Sequence, residues 1–253
     1  MKFLIQKING EVRHDFSFTL LESIRFKNWL TCNDKKDNIK VKFVNTFDII
    51  EYSDIYPMPF KPFHKNYVPI GSVEFVNDFL MHFYNHTLKP INVPEELFSY
   101  ANRHIFNGNH MDLENLHGKW FVKSNEKIKG YAEMITCDIN HGLQIPAGNY
   151  QISEYISIDS EWRAFVYQGK LVGLQNYSGE FTMFPNIWQI DNMITAYKSA
   201  PIAYTLDIGV FNVCDTFVIE VHPFISVGLY GMADHAILPQ MFYRGFNEYI
   251  KNL

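Results

Sequence analysis

Charge is scarce in this chain. Of its 253 residues only 19% are Asp, Glu, Lys or Arg, and 22 basic against 27 acidic residues leave a formal net charge of −5. That balance argues against non-specific duplex binding, which rests on clustered lysine and arginine, although a local basic groove is still compatible with it. Cysteine is scarcer still. Cys32, Cys137 and Cys214 are odd in number and far apart, with no CxxC pair and no zinc-ligand spacing, which excludes a disulfide scaffold and a zinc knuckle. Dispersed reduced thiols fit an intracellular, cytoplasmic protein, and Cys137 and Cys214 read as core residues. Long hydrophobic runs are also missing. No window approaches the roughly 20 apolar residues that span a bilayer, so no membrane partner is expected. The opening MKFLIQKINGEVRHD is apolar only over Phe3-Leu4-Ile5 before Gln6, too short for a secretory signal. What the chain does have is apolar material: 47% hydrophobic and 16% aromatic residues rule out disorder and supply a core. The length allows one large domain or two to three small ones.

Residues 2–5 read as a short strand and 18–30 as a helix, with Leu21, Ile24 and Trp29 at helical spacing. Residues 39–47 alternate as a strand with Val41, Phe43 and Phe47 on one face. Pro57, Pro59 and Pro62 forbid regular structure over 56–63. From Val68-Pro69-Ile70-Gly71-Ser72 the chain enters an apolar helix running to about Tyr84, with Ser72 as its N-cap. A second helix is expected over 95–105, and the alternation is that of a small α/β domain. From Lys119 the texture changes. Segments 119–123, 150–157, 162–167, 170–177, 202–211 and 216–221 are rich in β-branched and aromatic residues, as strands are. Gln168-Gly169 signals a tight hairpin. A helix over 186–198 (Ile187, Ile190, Ile194, Tyr197) is ended by Pro201, and an amphipathic helix covers 236–253. Its aromatic run from Met241 to Tyr249 reads as a buried face or as a homodimer contact.

In a chain with few charges, those carried on apolar strands hold the information. Lys123 closes the strand Trp120-Phe121-Val122 and precedes a polar turn bearing Lys127, Lys129 and Gly130; lysines so placed neutralise phosphates, or form a solvated hairpin. Glu161 and Arg163 lie two apart, hence on one face of a strand whose other face is Trp162, Ala164 and Val166. Arginine there needs an anionic partner, either an internal carboxylate or a ligand phosphate. Glu220 and His222 end the apolar strand Phe217-Val218-Ile219, and Asp207 is a lone carboxylate inside Thr205-Leu206-Asp207-Ile208. Carboxylates on two adjacent strands suit a magnesium ion, which takes oxygen ligands; the alternative is that one of them pairs with Arg163. His64, His104, His110, His117 and His141 show no metal-ligand spacing.

Taken in this order, the parts resemble the ATP-grasp superfamily. Within it, Val68 to Phe75 and Glu220-Val221-His222-Pro223-Phe224 with Gly228-Leu229-Tyr230-Gly231 are similar to segments of a phage- and bacteria-associated clade named for one arginine and two lysines. The resemblance covers roughly residues 65–253. It implies an α+β fold in which two α+β subdomains clamp a nucleotide, preceded by a small α/β N-terminal domain. The boundaries it implies are 1–85 for the N-terminal domain and 86–253 for the catalytic region, with a lid at about 119–156 and a C-terminal subdomain at about 157–253. Lys123 and Lys129, with Lys127 as the alternative second lysine, would hold the α- and β-phosphates of ATP. Glu154, Tyr155 and Ile156 would form the adenine-binding hinge. Arg163 would lie over the γ-phosphate or the acyl-phosphate intermediate, oriented by Glu161, and Asp207 and Glu220 would bind Mg2+.

One position departs from the pattern. Many members end in Glu-x-Asn, where this chain has His222, and imidazole is a poor magnesium ligand beside an oxygen donor. A one-metal site then stands, with His222 binding phosphate or acting as an acid or base. Ser124 also stands where related proteins carry proline.

The activity implied by the resemblance is ATP-dependent ligation of a carboxylate, on a small molecule or peptide, to an amine or similar nucleophile through an acyl-phosphate. Two other readings compete with it. One is a nucleotide-binding module without catalysis. The other is an RNA-repair or phage–host conflict protein acting on a nucleic-acid-linked substrate, with exposed aromatics stacking on bases, which the acidic net charge disfavours. No pocket motif for the acceptor is visible in the first hundred or so residues.

Overall fold

The computed structural model describes residues 1–31, 38–46, 60–137, 145–212 and 215–253. Cys32, Phe47, Pro57, Pro59, His141 and Cys214 lie outside them. The described helices are α1 (Asp15–Leu30), α2 (Val73–Tyr84), α3 (Ile187–Ala196) and α4 (Leu238–Lys251). The strands are β1 (Lys2–Ile8), β2 (Lys40–Thr46), β3 (Val68–Ile70), β4 (Ile105–Asn109), β5 (Gly118–Ser124), β6 (Ala132–Cys137), β7 (Asn149–Glu154), β8 (Ser160–Tyr167), β9 (Lys170–Gly179), β10 (Ala203–Phe211) and β11 (Asp215–Pro223). No described helix is long and apolar enough to cross a membrane. The chain divides into two units, one of Met1–Leu88, Pro201–Ala203 and Phe224–Leu253, the other of Lys89–Ala200 and Tyr204–Pro223.

In the first unit β2, β1 and β3 form a parallel sheet in that order. Its central strand is covered on both faces, as parallel sheets require: Phe3, Leu4 and Ile5 are fully buried. Aromatic rings close this core, Phe16 and Phe224 meeting Phe242 of α4, and Phe79 of α2 meeting Phe246. Phe242 and Phe246 are buried, so the aromatic run of α4 forms its inward face. Ser72 caps α2 as expected, its Oγ accepting from the Phe75 N–H at 3.2 Å. Gln6 ties the strand ends together, donating to Thr46 Oγ1 and accepting from Ser72 N–H. Gly71 lies against it so closely that a Cβ would sit 2.5 Å from Gln6 Oε1. Gly71→Ala is therefore expected to lower stability by about 1–3 kcal/mol, read as a lower urea midpoint for the first unit.

Val41 and Phe43 share one face of β2, as their alternation implies, and it is the more open one: Phe43 is 48% exposed beneath the Lys7 ammonium, and Val44 and Thr46 are the buried residues of β2. The Gln6–Thr46 bond holds that opposite register face inward. On α1 the buried stripe is Phe16, Leu20 and Ile24, whereas Trp29 is exposed.

The second unit holds two antiparallel four-stranded sheets, ordered β4-β7-β5-β6 and β11-β10-β8-β9. Trp162, Ala164 and Val166 face a core shared with Ile190, Met193 and Ile194 of α3, which leaves Glu161 and Arg163 to the opposite face. In the other sheet Trp120, Val122 and Ile152 pack with Cys137, which is a core residue as expected. The helix expected over 95–105 is a 3-10 turn, Glu95–Tyr100, followed by the unforeseen strand β4. Asn102 adopts a left-handed φ of +53° between them, which no helix continues through. The strand β6 was also unforeseen.

Candidate functional site

The second unit carries a cavity of about 480 Å³, whose wall includes Lys123, Glu154, Tyr155, Ile156, Glu161 and Glu220. It is built by register. Asp207 of β10 stands opposite Glu220 of β11, and Thr205 opposite His222, so all four side chains share one face of the sheet. Beyond Asp207 the register shifts, Ile208 pairing with Val218 and leaving Ile219 as the extra residue. Bulges of this kind re-aim side chains beside active sites, and this one sits immediately before Glu220.

Arg163, on the neighbouring strand β8, forks onto Asp207, with Nε to Oδ1 and Nη2 to Oδ2 both 2.7 Å. The two are 7% and 1% exposed. The Arg163 guanidinium lies 5.6 Å from the ring centre of Tyr177, whose hydroxyl donates to Glu161 Oε2 at 2.8 Å. Lys123 is ion-paired with Glu220. His222 Nε2 is 3.0 Å from Glu220 Oε1 and 3.5 Å from Asp207 Oδ2. Two sequence alternatives are thereby distinguished in this structure: Asp207 is the carboxylate that pairs with Arg163, and Glu220 pairs with Lys123.

The electrostatics follow from crowding. Burial pulls the Lys123 ammonium down to about 8, against the opposing pull of the Asp207 carboxylate. Burial also lowers His222, despite its hydrogen bond to Asp207. For Asp207 burial acts upward, but the bonds from Arg163 and His222 outweigh it and hold the carboxyl below its usual range. Among the described residues Asp207, Glu220 and His222 form the one cluster able to hold a metal ion, their ligand atoms within 4.8 Å of one another.

The other candidates are spread unevenly. Glu154 ends β7 with its carboxylate accepting from the His104 N–H at 2.8 Å, while its own N–H donates to the His104 carbonyl. Tyr155 N–H donates to the Lys119 carbonyl, and Tyr155 and Ile156 continue along the cavity wall. Lys127 and Lys129 are exposed in the turn after β5 and do not line the cavity. Their turn is closed by Gly130 N–H to the Lys127 carbonyl, with Lys129 at a φ of +56°.

Sequence reasoning missed Arg103 and Asn92, both on the cavity wall. Arg103 donates to the carbonyls of Ala101, Val218 and Ile219 at 3.0, 2.8 and 3.1 Å, sealing the bulge ahead of Glu220. Burial alone lowers its pKa, to about 10. No local pattern marks either residue, since apart from the Ala101 carbonyl their side-chain partners are backbone carbonyls and an amide more than thirty positions away. Arg103→Ala strands two β11 carbonyls and is expected to cost about 1–3 kcal/mol, measured by urea unfolding.

Comparison with known proteins gives the fold a family. A family model described as ATP-grasp domain, R2K_2 (the second family of the clade named for an arginine and two lysines) matches residues 100–239, more than half the chain. No curated protein matches the sequence. Among solved structures, a RimK domain protein of ATP-grasp type from Sphaerobacter thermophilus is similar at 10% identity and a TM-score of 0.51, over 99% of this chain and 100% of that one. A D-alanine–D-alanine ligase from Bacillus anthracis gives 10% identity and 0.45 over 100% and 99%. With its mixed α+β architecture, the chain belongs to the second family of this arginine-and-two-lysine clade of ATP-grasp domains.

Proposed function

We propose that this protein is a cytoplasmic ATP-dependent ligase that joins a carboxylate to an amine, or a similar nucleophile, through an acyl-phosphate, with magnesium as its cation. The observation that carries the reading is the ion pair Lys123–Glu220 on the cavity wall, joined through His222 to the buried pair Arg163–Asp207 behind it. Each cation is held by a carboxylate, so a phosphate chain arriving with a divalent cation offers every one of the four a new partner of opposite charge. The donor set fits such an ion, since two carboxylates supply the hard oxygen atoms it prefers. Magnesium, when bound, neutralises phosphate charge. Lys123 then binds the phosphates and Arg163 the transferring phosphoryl group, both already aimed by strands rather than loops. Tyr177 positions both Glu161, by its hydroxyl, and Arg163, by its ring. The sheet bearing Lys123 acts as the lid over residues 119–156, and Tyr155 and Ile156 as the hinge against the base.

The reaction needs no nucleophilic side chain. A substrate carboxylate oxygen attacks the γ-phosphorus, ADP leaves, and the amine nitrogen then displaces phosphate from the acyl carbon. Incubation with ATP, magnesium and panels of carboxylates and amines is expected to release ADP and phosphate only when both substrates are present. Release of AMP and pyrophosphate would sink this reading. His222, the imidazole at the place of an oxygen ligand, favours a second reading: a module that binds nucleotide without turning it over. ATP binding with no ADP release across the whole panel would support that one instead.

A further inference from the structure

One residue of the cavity wall, Asn92, buries an amide oxygen that nothing in the structure meets. Asn92 is 2% exposed. Its Nδ2 donates to the Ser124 carbonyl at 3.1 Å and to Asn125 Oδ1 at 2.7 Å. Two acceptors around that atom fix the orientation of the amide, so the remaining atom is the oxygen. Asn92 Oδ1 is buried with no hydrogen-bond partner. A buried acceptor left unmet is costly, and one on the wall of a ligand cavity is explained when the ligand meets it. Of the other buried oxygens of the second unit without a hydrogen bond, Glu220 Oε2 lies on the same wall but is ion-paired with Lys123, and those on Tyr204 and Thr205 do not line the cavity.

Position adds a second argument. The Asn92 side chain is bonded to Ser124, the residue after Lys123, and its backbone carbonyl accepts from the Val221 N–H at 2.8 Å, the residue after Glu220. Asn92 is thus pinned one residue from each member of the Lys123–Glu220 pair. Its φ of +56° is left-handed, a conformation that asparagine tolerates and most residues do not.

We infer that Asn92 supplies through Oδ1 the neutral oxygen ligand of the divalent cation that accompanies the nucleotide, in the role His222 leaves open. This rests on reading the cavity as the nucleotide site. An amide oxygen suits a hard cation, and its uncharged state adds an oxygen without further repelling the phosphates.

Manganese, followed by electron paramagnetic resonance, is a direct probe, with ATP affinity in EDTA measured alongside by calorimetry. Asn92→Gly keeps the left-handed backbone and its bond to Val221 while removing the amide. It is expected to weaken manganese binding in the ATP complex at least tenfold and to leave ATP binding in EDTA within twofold. Asn125→Ala removes an acceptor of Nδ2 but spares Oδ1, and is expected to keep manganese affinity within threefold. Unchanged manganese affinity in Asn92→Gly overturns the inference alone, as does an equal loss in Asn125→Ala, which makes Asn92 a clamp and not a ligand. A wild-type protein that binds ATP no better with manganese than with EDTA overturns the nucleotide-site reading and this inference together.

Discussion

Arg163→Met is expected to destabilise the second unit by about 3–5 kcal/mol, the range for removing one partner of a buried ion pair. The reason is the charge left behind. Asp207 is 1% exposed and takes both forks of the guanidinium, so without Arg163 its carboxylate keeps the His222 imidazole at 3.5 Å and the Lys123 ammonium acting on it without direct contact. The double variant Arg163→Met with Asp207→Leu removes both charges and should recover most of the loss, because well-packed apolar replacements of buried pairs are often neutral.

The pH dependence separates this cause from lost packing. In the wild type the Asp207 carboxyl is held below its usual value, so its stabilising contribution is complete above the unfolded carboxylate pKa of about 3.9. That contribution disappears as pH falls through the lower folded value. In Arg163→Met burial dominates and raises the folded pKa. The deficit is then largest near neutrality and shrinks as pH falls towards the unfolded pKa. Urea midpoints at pH 7 and pH 5 measure both. A midpoint unchanged at pH 7, or a deficit that grows on acidification, would contradict the pairing.

Lys123→Met is expected to lower ATP turnover by about 10²–10³, the usual loss for a preorganised group that meets developing charge. It should do so with little loss of fold. Glu220 is 22% exposed at its side chain and keeps His222 3.0 Å away, so its charge is not stranded as that of Asp207 would be. Lys123→Arg keeps the charge but exchanges a point charge for a planar fork, and should recover only part of the rate. Turnover within tenfold of wild type in Lys123→Met, with the urea midpoint intact, would remove Lys123 from the site.

How much of this was legible follows from particular residues. Glu220, Asp207 and Arg163 stood out because a charge in the middle of an apolar strand is costly without a partner, and the strands that carry them are buried along most of their length. Their pairing was not legible, since it depends on β8 and β11 both flanking β10, an order the sequence does not display. The strands β4 and β6 escaped for different reasons. Ile105–Asn109 is short and contains Asn107, Gly108 and Asn109, whose composition speaks for a turn; the Asn107 side chain instead serves another segment, its Oδ1 taking a bond from Asn125. Ala132–Cys137 buries only Ile135 and Cys137, too few apolar positions to register. Asn92 and Arg103 were invisible because, the Ala101 carbonyl apart, their side-chain partners are distant backbone groups and an amide. The Ser72 cap, by contrast, is local and was read directly.

The central claim is that the second unit's cavity binds ATP with a divalent cation through Lys123 and Glu220. Calorimetric titration of ATP, with and without magnesium, into the wild type, Lys123→Met and Glu220→Gln tests it most directly. The account predicts saturable binding of one ATP per chain in the wild type, strengthened by magnesium, weakened at least tenfold in Lys123→Met, and no longer strengthened by magnesium in Glu220→Gln. Wild-type-like titrations in both variants, or no ATP binding to the wild type at all, would contradict it.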